Sequence, residues 1–337
     1  MKISAGLVYN KHTGRIVGFT DLGEINNELK DFEVSVNEES TVRPTATHVL
    51  TLMVRGIDFR LNYPIAYFAG AGVKAYELYH IVWEAIRILE FLDFKVWFVT
   101  CDGASANKKF FLMHANANNI KDGVVFWTQN KYAPDRRIYF ICDVPHLLKT
   151  TRNNFANSHA HQNTRELFLE GKEVSWQHII SLFELDIGLN RIAPGFRQTK
   201  LTVEHVRLTP RSRMKVSLAA QVLSNSVDIA LQMQNNDATI STQKFIGMFN
   251  KLFDILNVKS TTIGFRELND DKKPFKGKDN DNRLEWLLDT FLPFLANWEN
   301  EVNNLELDDE KKKKRMYLSQ QTSSRLKITS KLYLFSI

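Results

Sequence analysis

The rhythm of apolar and polar positions changes twice along the chain. Gly6-Leu7-Val8-Tyr9 and Arg15-Ile16-Val17-Gly18-Phe19 are short apolar runs on either side of the turn-rich Asn10-Lys11-His12-Thr13-Gly14, which predicts a hairpin. Residues 24–44 are polar and acidic and read as a loop. His48–Arg55 then alternates as a third antiparallel strand. From 73 to 92, Tyr76, Tyr79, Val82, Trp83, Ile86 and Leu89 recur at three- and four-residue spacing, the signature of an amphipathic helix. Lys95–Cys101 and Arg137–Cys142 are near-continuous apolar runs, as expected of strands covered on both faces, with a helix between them from about Ser105 to Asn116. Beyond about residue 150 no such strand recurs. Helical spacing dominates 174–193, 213–233, 242–257 and 283–306, with Trp286 and Trp298 on the core face, a polar loop at 269–282 and a charge run at 308–315. No internal repeat is visible, and 337 residues predict roughly two domains.

Composition narrows the class. A chain that is 44% hydrophobic and 24% charged forms a core, which excludes disorder over most of its length. The net charge of +6 is unevenly held, with +1 in residues 1–150 and +5 in 151–337. Cys101 and Cys142 are the two cysteines, too few for a disulfide scaffold or a structural zinc site, so a reducing compartment is expected. The first residues carry no apolar stretch of secretory length, and no uncharged run spans a bilayer. The expectation is an intracellular protein without a membrane partner.

Two aspartates follow the two apolar strands, in CDGASAN (101–107) and CDVPH (142–146). Functional groups gather beyond the carboxyl ends of strands in α/β sheets, and carboxylates there suit hard divalent cations. Antiparallel strands, a helix and two strands ending in acids follow the order of an RNase H-like fold, which holds two Mg²⁺ for in-line attack on a phosphodiester. A second reading stays open: Asp102 and Asp143 as a helix N-cap and a turn residue.

The segments CDGASANKKFF (101–111) and FICDVPHLLKTTRN (140–153), with GLVYNKHTGRIVGFTDLG (6–23) and YLSQQTSSRLKIT (317–329), resemble the blocks of P-element-type transposases, the family that includes the THAP-domain transposases of animals. The resemblance implies an α/β fold, an RNase H-like mixed sheet with helices followed by a mostly α-helical GTP-binding insertion domain. The implied division is 1–150 for the catalytic-core domain, 151–316 for the insertion and 317–337 for the start of a returning RNase H-like segment. It further implies metal-dependent DNA cleavage and strand transfer, Mg²⁺ and GTP as cofactors, DNA as partner, a homo-oligomer and a nuclear location. Asp102 matches the second acid of the family's Asp-Asp-Glu triad, giving it a catalytic and metal role. Asp143 and His146 match an Asp-x-x-His signature, with Asp143 as a further metal position and the role of His146 open. Lys200, Lys215, Val216 and Ser224 match nucleotide-contacting positions, and Phe253, Asp254 and Asn257 the guanine-reading segment. Lysines suit phosphate, Phe253 offers a stacking face, and Asp254 accepts guanine N–H groups. No P-loop is present.

The departures are equally specific. The family's first acid lies in an Asp-Glu-Met block whose Met resembles Met1, and its Glu lies in an Asp-x-x-Glu block that does not appear by Ile337. The expectation from the start of the sequence is that the family's THAP-type zinc module, and site-specific DNA binding through it, is missing. The expectation is therefore a fragment or domesticated derivative lacking two of three metal acids, with a non-catalytic GTP-, DNA- or protein-binding module as the alternative. An unfolded product of a decayed gene is a third reading, marked by poor thermal cooperativity. Arg197, Lys200, Arg207, Arg211, Arg213 and Lys215 form a basic cluster opposed by Glu204, suited to nucleotide or DNA phosphate. Lys311–Arg315 reads either as an import signal or as a solvated helix face. His159-Ala160-His161 has no acid or thiol partner in sequence and reads as a loop.

Overall fold

A computed structural model describes all residues except 1, 37–43, 58, 122–123, 160–163, 188–198, 259, 261, 277–280, 308 and 336–337, and the backbone alone at 121, 124 and 332–335. Arg197, Ala160, His161, Asp308 and the end of the 174–193 stretch lie outside the described residues. The chain divides into two compact units, Met1–Val99 with Ala104–Phe140, and Thr100–Gly103 with Ile141–Ile337. The division falls inside two strands, ten residues earlier than the expected boundary at 150.

The first unit opens with the predicted hairpin, β1 (Val8–Asn10) and β2 (Arg15–Val17). Asn10 Oδ1 accepts the His12 and Thr13 N–H groups at 3.0 and 3.2 Å, and Gly14 turns the chain at φ +66°. The expected loop at 24–44 is instead α1 (Glu24–Val36) for most of its length. Ile25, Leu29, Phe32 and Val36 are spaced four, three and four apart, a helical stripe hidden by the acids around it. The buried Asn26 ties this helix down, donating to Leu22 and Glu77 carbonyls at 3.1 and 3.3 Å. β3 (His48–Arg55) pairs antiparallel with β4 (Asn62–Gly70), a strand absent from the sequence reading. The register shifts between Leu52 and Met53, where Pro64 in β4 lacks a ladder N–H.

α2 (Ala75–Phe91) follows, its start closed by Glu77 Oε2 accepting the Lys74 N–H at 2.6 Å. Next come β5 (Phe98–Cys101), α3 (Ser105–Leu112), the hairpin β6 (Ile120–Lys121) and β7 (Val124–Val125), β8 (Trp127–Gln129) and β9 (Arg137–Cys142). The sheet order is β5-β9-β8. The Tyr139 N–H bonds the Trp97 carbonyl at 2.8 Å and the Asp143 N–H that of Cys101 at 3.0 Å, so the donors and acceptors advance together. That is the parallel pattern expected of the two acid-tipped strands. Trp83, Ile86 and Ile138 form one apolar cluster of this unit, and Phe111 stacks on Phe140 with centroids 4.4 Å apart.

The second unit is helical. α4 (Val144–Ala156) is followed by a two-residue hairpin, β10 (Phe168–Leu169) and β11 (Lys172–Glu173), the strand pairing beyond residue 150 that spacing did not announce. Then come α5 (Trp176–Ile187), α6 (Val203–Val206), α7 (Val216–Val222), α8 (Asn225–Met233), α9 (Ile240–Leu256) and α10 (Ile263–Arg266). α11 (Asn282–Trp286) continues through a π-helical turn at Leu287–Phe291 into α12 (Leu292–Asn303). Pro293, which lacks an N–H, sits just past that turn, an ordinary cause of a break in the ladder. α13 (Glu310–Met316) carries the basic run, and α14 (Gln320–Phe335) packs on α4 and α12. Phe155, Phe245, Phe249, Phe291 and Trp298 are fully buried and share ring contacts. Trp298 Nε1 donates to the Phe168 carbonyl at 2.6 Å, so its single polar group is satisfied.

Candidate functional site

The first group of candidate residues lies at the ends of β5 and β9, within the second unit. Asp143 is the N-cap of α4, its carboxylate accepting the His146 N–H at 3.1 Å, with Pro145 in the first turn. The cap is thus Asp143, read from the sequence as a turn residue, whereas Asp102, read as the N-cap, is not one: Ala104 stands at the N-cap of α3. Asp102 and Gly103 form the turn after β5. α14 reaches this turn: Gln321 and Arg325, four residues apart on one helix face, both donate to the Gly103 carbonyl, Gln321 at 2.7 Å. A Cβ at Gly103 would collide with the Arg325 guanidinium and approach His146 Nε2 to 3.0 Å. The guanidinium and the imidazole thus converge over this glycine.

Electrostatics follow from burial. His146 is held below its ordinary value by burial, then by Lys149, against the opposing pull of Asp102 and Asp143. Arg325 is lowered by burial, with Cys142, Cys101 and Asp102 acting the other way. Burial raises the Cys101 thiol strongly and pushes Cys142 up to about 11, so neither is a ready nucleophile. The residues do not fit the expected Mg²⁺ pair. No group of three His, Cys, Asp or Glu side chains able to hold a metal occurs among the described residues, and a guanidinium already stands at the turn.

The second group lies among α7, α8, α9 and the turn after α10. Lys215 caps α7 and binds Glu204 through Nζ at 2.5 Å; Val216 opens that helix. Arg152 on α4, fully buried, braces this stretch by donating to the Ser212 and Arg213 carbonyls at 3.2 and 3.3 Å; burial lowers it to about 10, so it stays charged. Ser224 stands at the N-cap of α8, its hydroxyl donating to Gln221 O at 2.8 Å. The next N–H, from Asn225, reaches Asn250 Oδ1 on α9 at 3.2 Å. Asn250, Asp254 and Asn257 follow at i, i+4 and i+7, one helix face. Phe253 is half-buried against the core, and Asn257 is the C-cap.

Asp254 is the focus of this group. Its Oδ2 accepts from Asn269 Nδ2 at 3.1 Å and its Oδ1 lies 3.4 Å from Lys272 Nζ. Burial raises its carboxyl above the usual range, and Lys272 opposes that first. Lys272 also pairs with Glu267 at 2.7 Å, and the exposed Lys200 acts on the same Glu267. Lys200, Glu267, Lys272, Asp254 and Asn269 therefore form one charge network. Ser224 is not joined to it: its neighbour Asn225 reaches α9 at Asn250, one turn before Asp254, while Lys215 and Val216 stand a seven-residue helix away, about 10 Å along its axis. Sequence reasoning missed Glu267, Asn269, Lys272, Gln321 and Arg325. Only the i, i+4 spacing of Gln321 and Arg325 was a usable signal.

Residues 1–114 match the family described as TNP-like, RNase H N-terminal domain, and residues 145–267 the one described as TNP-like, GTP-binding insertion domain. The Drosophila P element transposase strand transfer complex is similar in fold, with a TM-score of 0.67 at 18% identity, covering 100% of this chain and 63% of that one. No curated protein matches. A mixed α/β domain followed by a helical insertion, in that order, defines a transposase-like architecture. The chain carries both TNP-like domains, and its fold is similar to that of the P element transposase. It spans just under two thirds of the matched transposase chain. Among the described residues no helix is long and apolar enough to cross a membrane.

Proposed function

We propose that this transposase-derived chain binds a guanine nucleotide, GTP in the first instance, through its helical unit. The observation that carries the reading is Asp254, a half-buried carboxylate at the end of α9 that lies within the stretch matching a GTP-binding insertion domain and is oriented by Asn269 and Lys272 just beyond that stretch. Guanine presents two adjacent N–H donors to one carboxylate, whereas adenine presents an acceptor there, so a fixed aspartate discriminates between them. A carboxylate offers about four acceptor positions. Asn269 and Lys272 engage one on each oxygen and leave the others for the base. Phe253 supplies an apolar edge, and Lys200 and Lys215 are the phosphate candidates, Lys215 on release from Glu204. No cleavage step is assigned to Asp102, since the residues around it do not fit a metal.

The test is fluorescence anisotropy of a labelled GTP with the whole chain. Asp254→Ala is expected to weaken binding by about 10–100-fold, the scale of a charged hydrogen bond lost in a buried site. Unlabelled GTP should compete and ATP should not. Binding should weaken on acidification while still above the ordinary carboxylate range, because Asp254 must be ionised and burial raises its pKa. Equal binding by Asp254→Ala overturns the reading.

A second reading rests on Arg207 and Arg211, both exposed, with neighbouring Glu204 engaged by Lys215. A DNA backbone contact there predicts binding of an arbitrary duplex that falls steeply with salt and loses slope in Arg207→Ala/Arg211→Ala. A salt-independent signal removes it.

A further inference from the structure

The turn expected to hold a metal already contains a cation, and its surroundings explain why it stays. Arg325 is 5% exposed. Burying a guanidinium is costly unless negative charge compensates it, so a residue needed only to cap a carbonyl would not have to be arginine. Gln321 already donates to the same Gly103 carbonyl at 2.7 Å, and the carboxylate that acts on Arg325 is that of Asp102. Gly103 admits the guanidinium by having no Cβ, and its backbone is not left-handed, so the glycine is required by space and not by conformation. His146 Nε2 stands beside the same point over Gly103, 3.0 Å from where a Cβ would sit. The other aspartate is engaged as the cap of α4.

We propose that Arg325 is the resident cation of the Asp102 turn: α14 locks its guanidinium over Gly103 and thereby keeps divalent cations out of the site. The lock is mechanical as well as electrostatic. Gln321 and Arg325 lie one helical turn apart, so any movement of α14 that frees one frees both. A divalent ion at Asp102 would stand against the guanidinium and be repelled by it, and displacing Arg325 removes that repulsion and lets the carboxylate attract the ion. This reading is independent of nucleotide binding in the other part of the unit.

The experiment is a Mn²⁺ titration of the whole chain, followed by the loss of the free-ion electron paramagnetic resonance signal. Wild type and Arg325→Lys, which keeps the positive charge, are expected to take up no Mn²⁺ that depends on Asp102. Arg325→Gln removes the charge. Gly103→Ala expels the guanidinium without touching Arg325. Each is expected to raise Mn²⁺ affinity at least about tenfold, and adding Asp102→Asn should cancel the gain. Circular dichroism confirms that each variant is folded. Folded Arg325→Gln and Gly103→Ala chains with unchanged uptake overturn the proposal. Wild-type uptake that Asp102→Asn abolishes overturns it too, whatever the variants do.

Discussion

The two units bury apolar surface in different ways. In the second unit Phe155, Phe245, Phe249, Phe291 and Trp298 sit in one contiguous cluster, fed by α4, α5, α7, α8, α9, α11, α12, α13 and α14. In the first, one described cluster is Trp83, Ile86 and Ile138, and large apolar side chains stand in solvent, among them Phe32 at 66%, Tyr67 at 81% and Phe91 at 84% exposure. Its sheets have two or three strands, and such small sheets bury little on their own. Polar anchors do more of the ordering there. Glu90 is the main one: it accepts from Arg136 Nη1 at 3.2 Å, Val96 N at 2.9 Å and Asn130 Nδ2 at 2.8 Å. Opposing burial, Arg136 leads the interactions that hold its carboxyl below the usual range. The second unit is held by contiguous packing, and in the first the satisfied charges around Glu90 add to the packing of its described core.

Substitutions test that contrast directly. Phe249→Ala, at a site 1% exposed, is expected to cost about 3–5 kcal/mol of stability by urea denaturation, the cavity cost of a buried aromatic. Arg136→Leu is expected to cost about 3 kcal/mol by leaving Glu90 buried and unpaired. Its sign with pH is distinctive. In wild type, Glu90 is held below its unfolded value, so its contribution is present above about pH 4.3 and lost as pH falls through the lower folded value. In Arg136→Leu the carboxylate lacks its cation, so the deficit should shrink on acidification. A constant deficit would mean that Arg136 acts by packing alone.

Hydrogen exchange should separate the units without mutation. Amides of α9 and α12 are expected to exchange at least about tenfold more slowly than those of β3 and β4, since a contiguous core opens less often than a two-stranded ribbon. Equal protection would break the comparison. A smaller effect comes from histidines that burial keeps neutral: His114 in the first unit, His178 and His205 in the second. Their folded values lie below the unfolded one, so their contribution is full above about pH 6.5 and falls as pH drops through the folded values. Melting temperature should begin to decline below about pH 6.5, and substituting His205 by Gln should remove part of that slope. The least effect is expected from Phe91→Ala, within about 0.5 kcal/mol, because an exposed ring loses little on truncation.

Local patterns were legible where a single element decides them. The helix at 75–91, the strand at 137–142 and the helical texture after 150 follow from spacing within one segment, and each lies where the chain predicts it. α1 was missed because charge between its apolar positions mimics a loop, and β4 because Pro64 and its small residues weaken the alternation. In the candidate sites, the chain marks Asp102, Asp143, His146 and Asp254 by their blocks, but the cap role read at Asp102 belongs to Asp143.

What those residues face is another matter. The alternation of apolar and polar positions, the caps and the transposase blocks are properties of adjacent residues, and the sequence by itself determined them. Whether Asp102 meets a metal or a guanidinium depends on Arg325, more than two hundred positions away in the chain. Likewise Asn269 and Lys272 reach Asp254 through the turn after α10. Those pairings arise when helices pack, because burial chooses which distant charges must be satisfied together, and only the tertiary structure decided them.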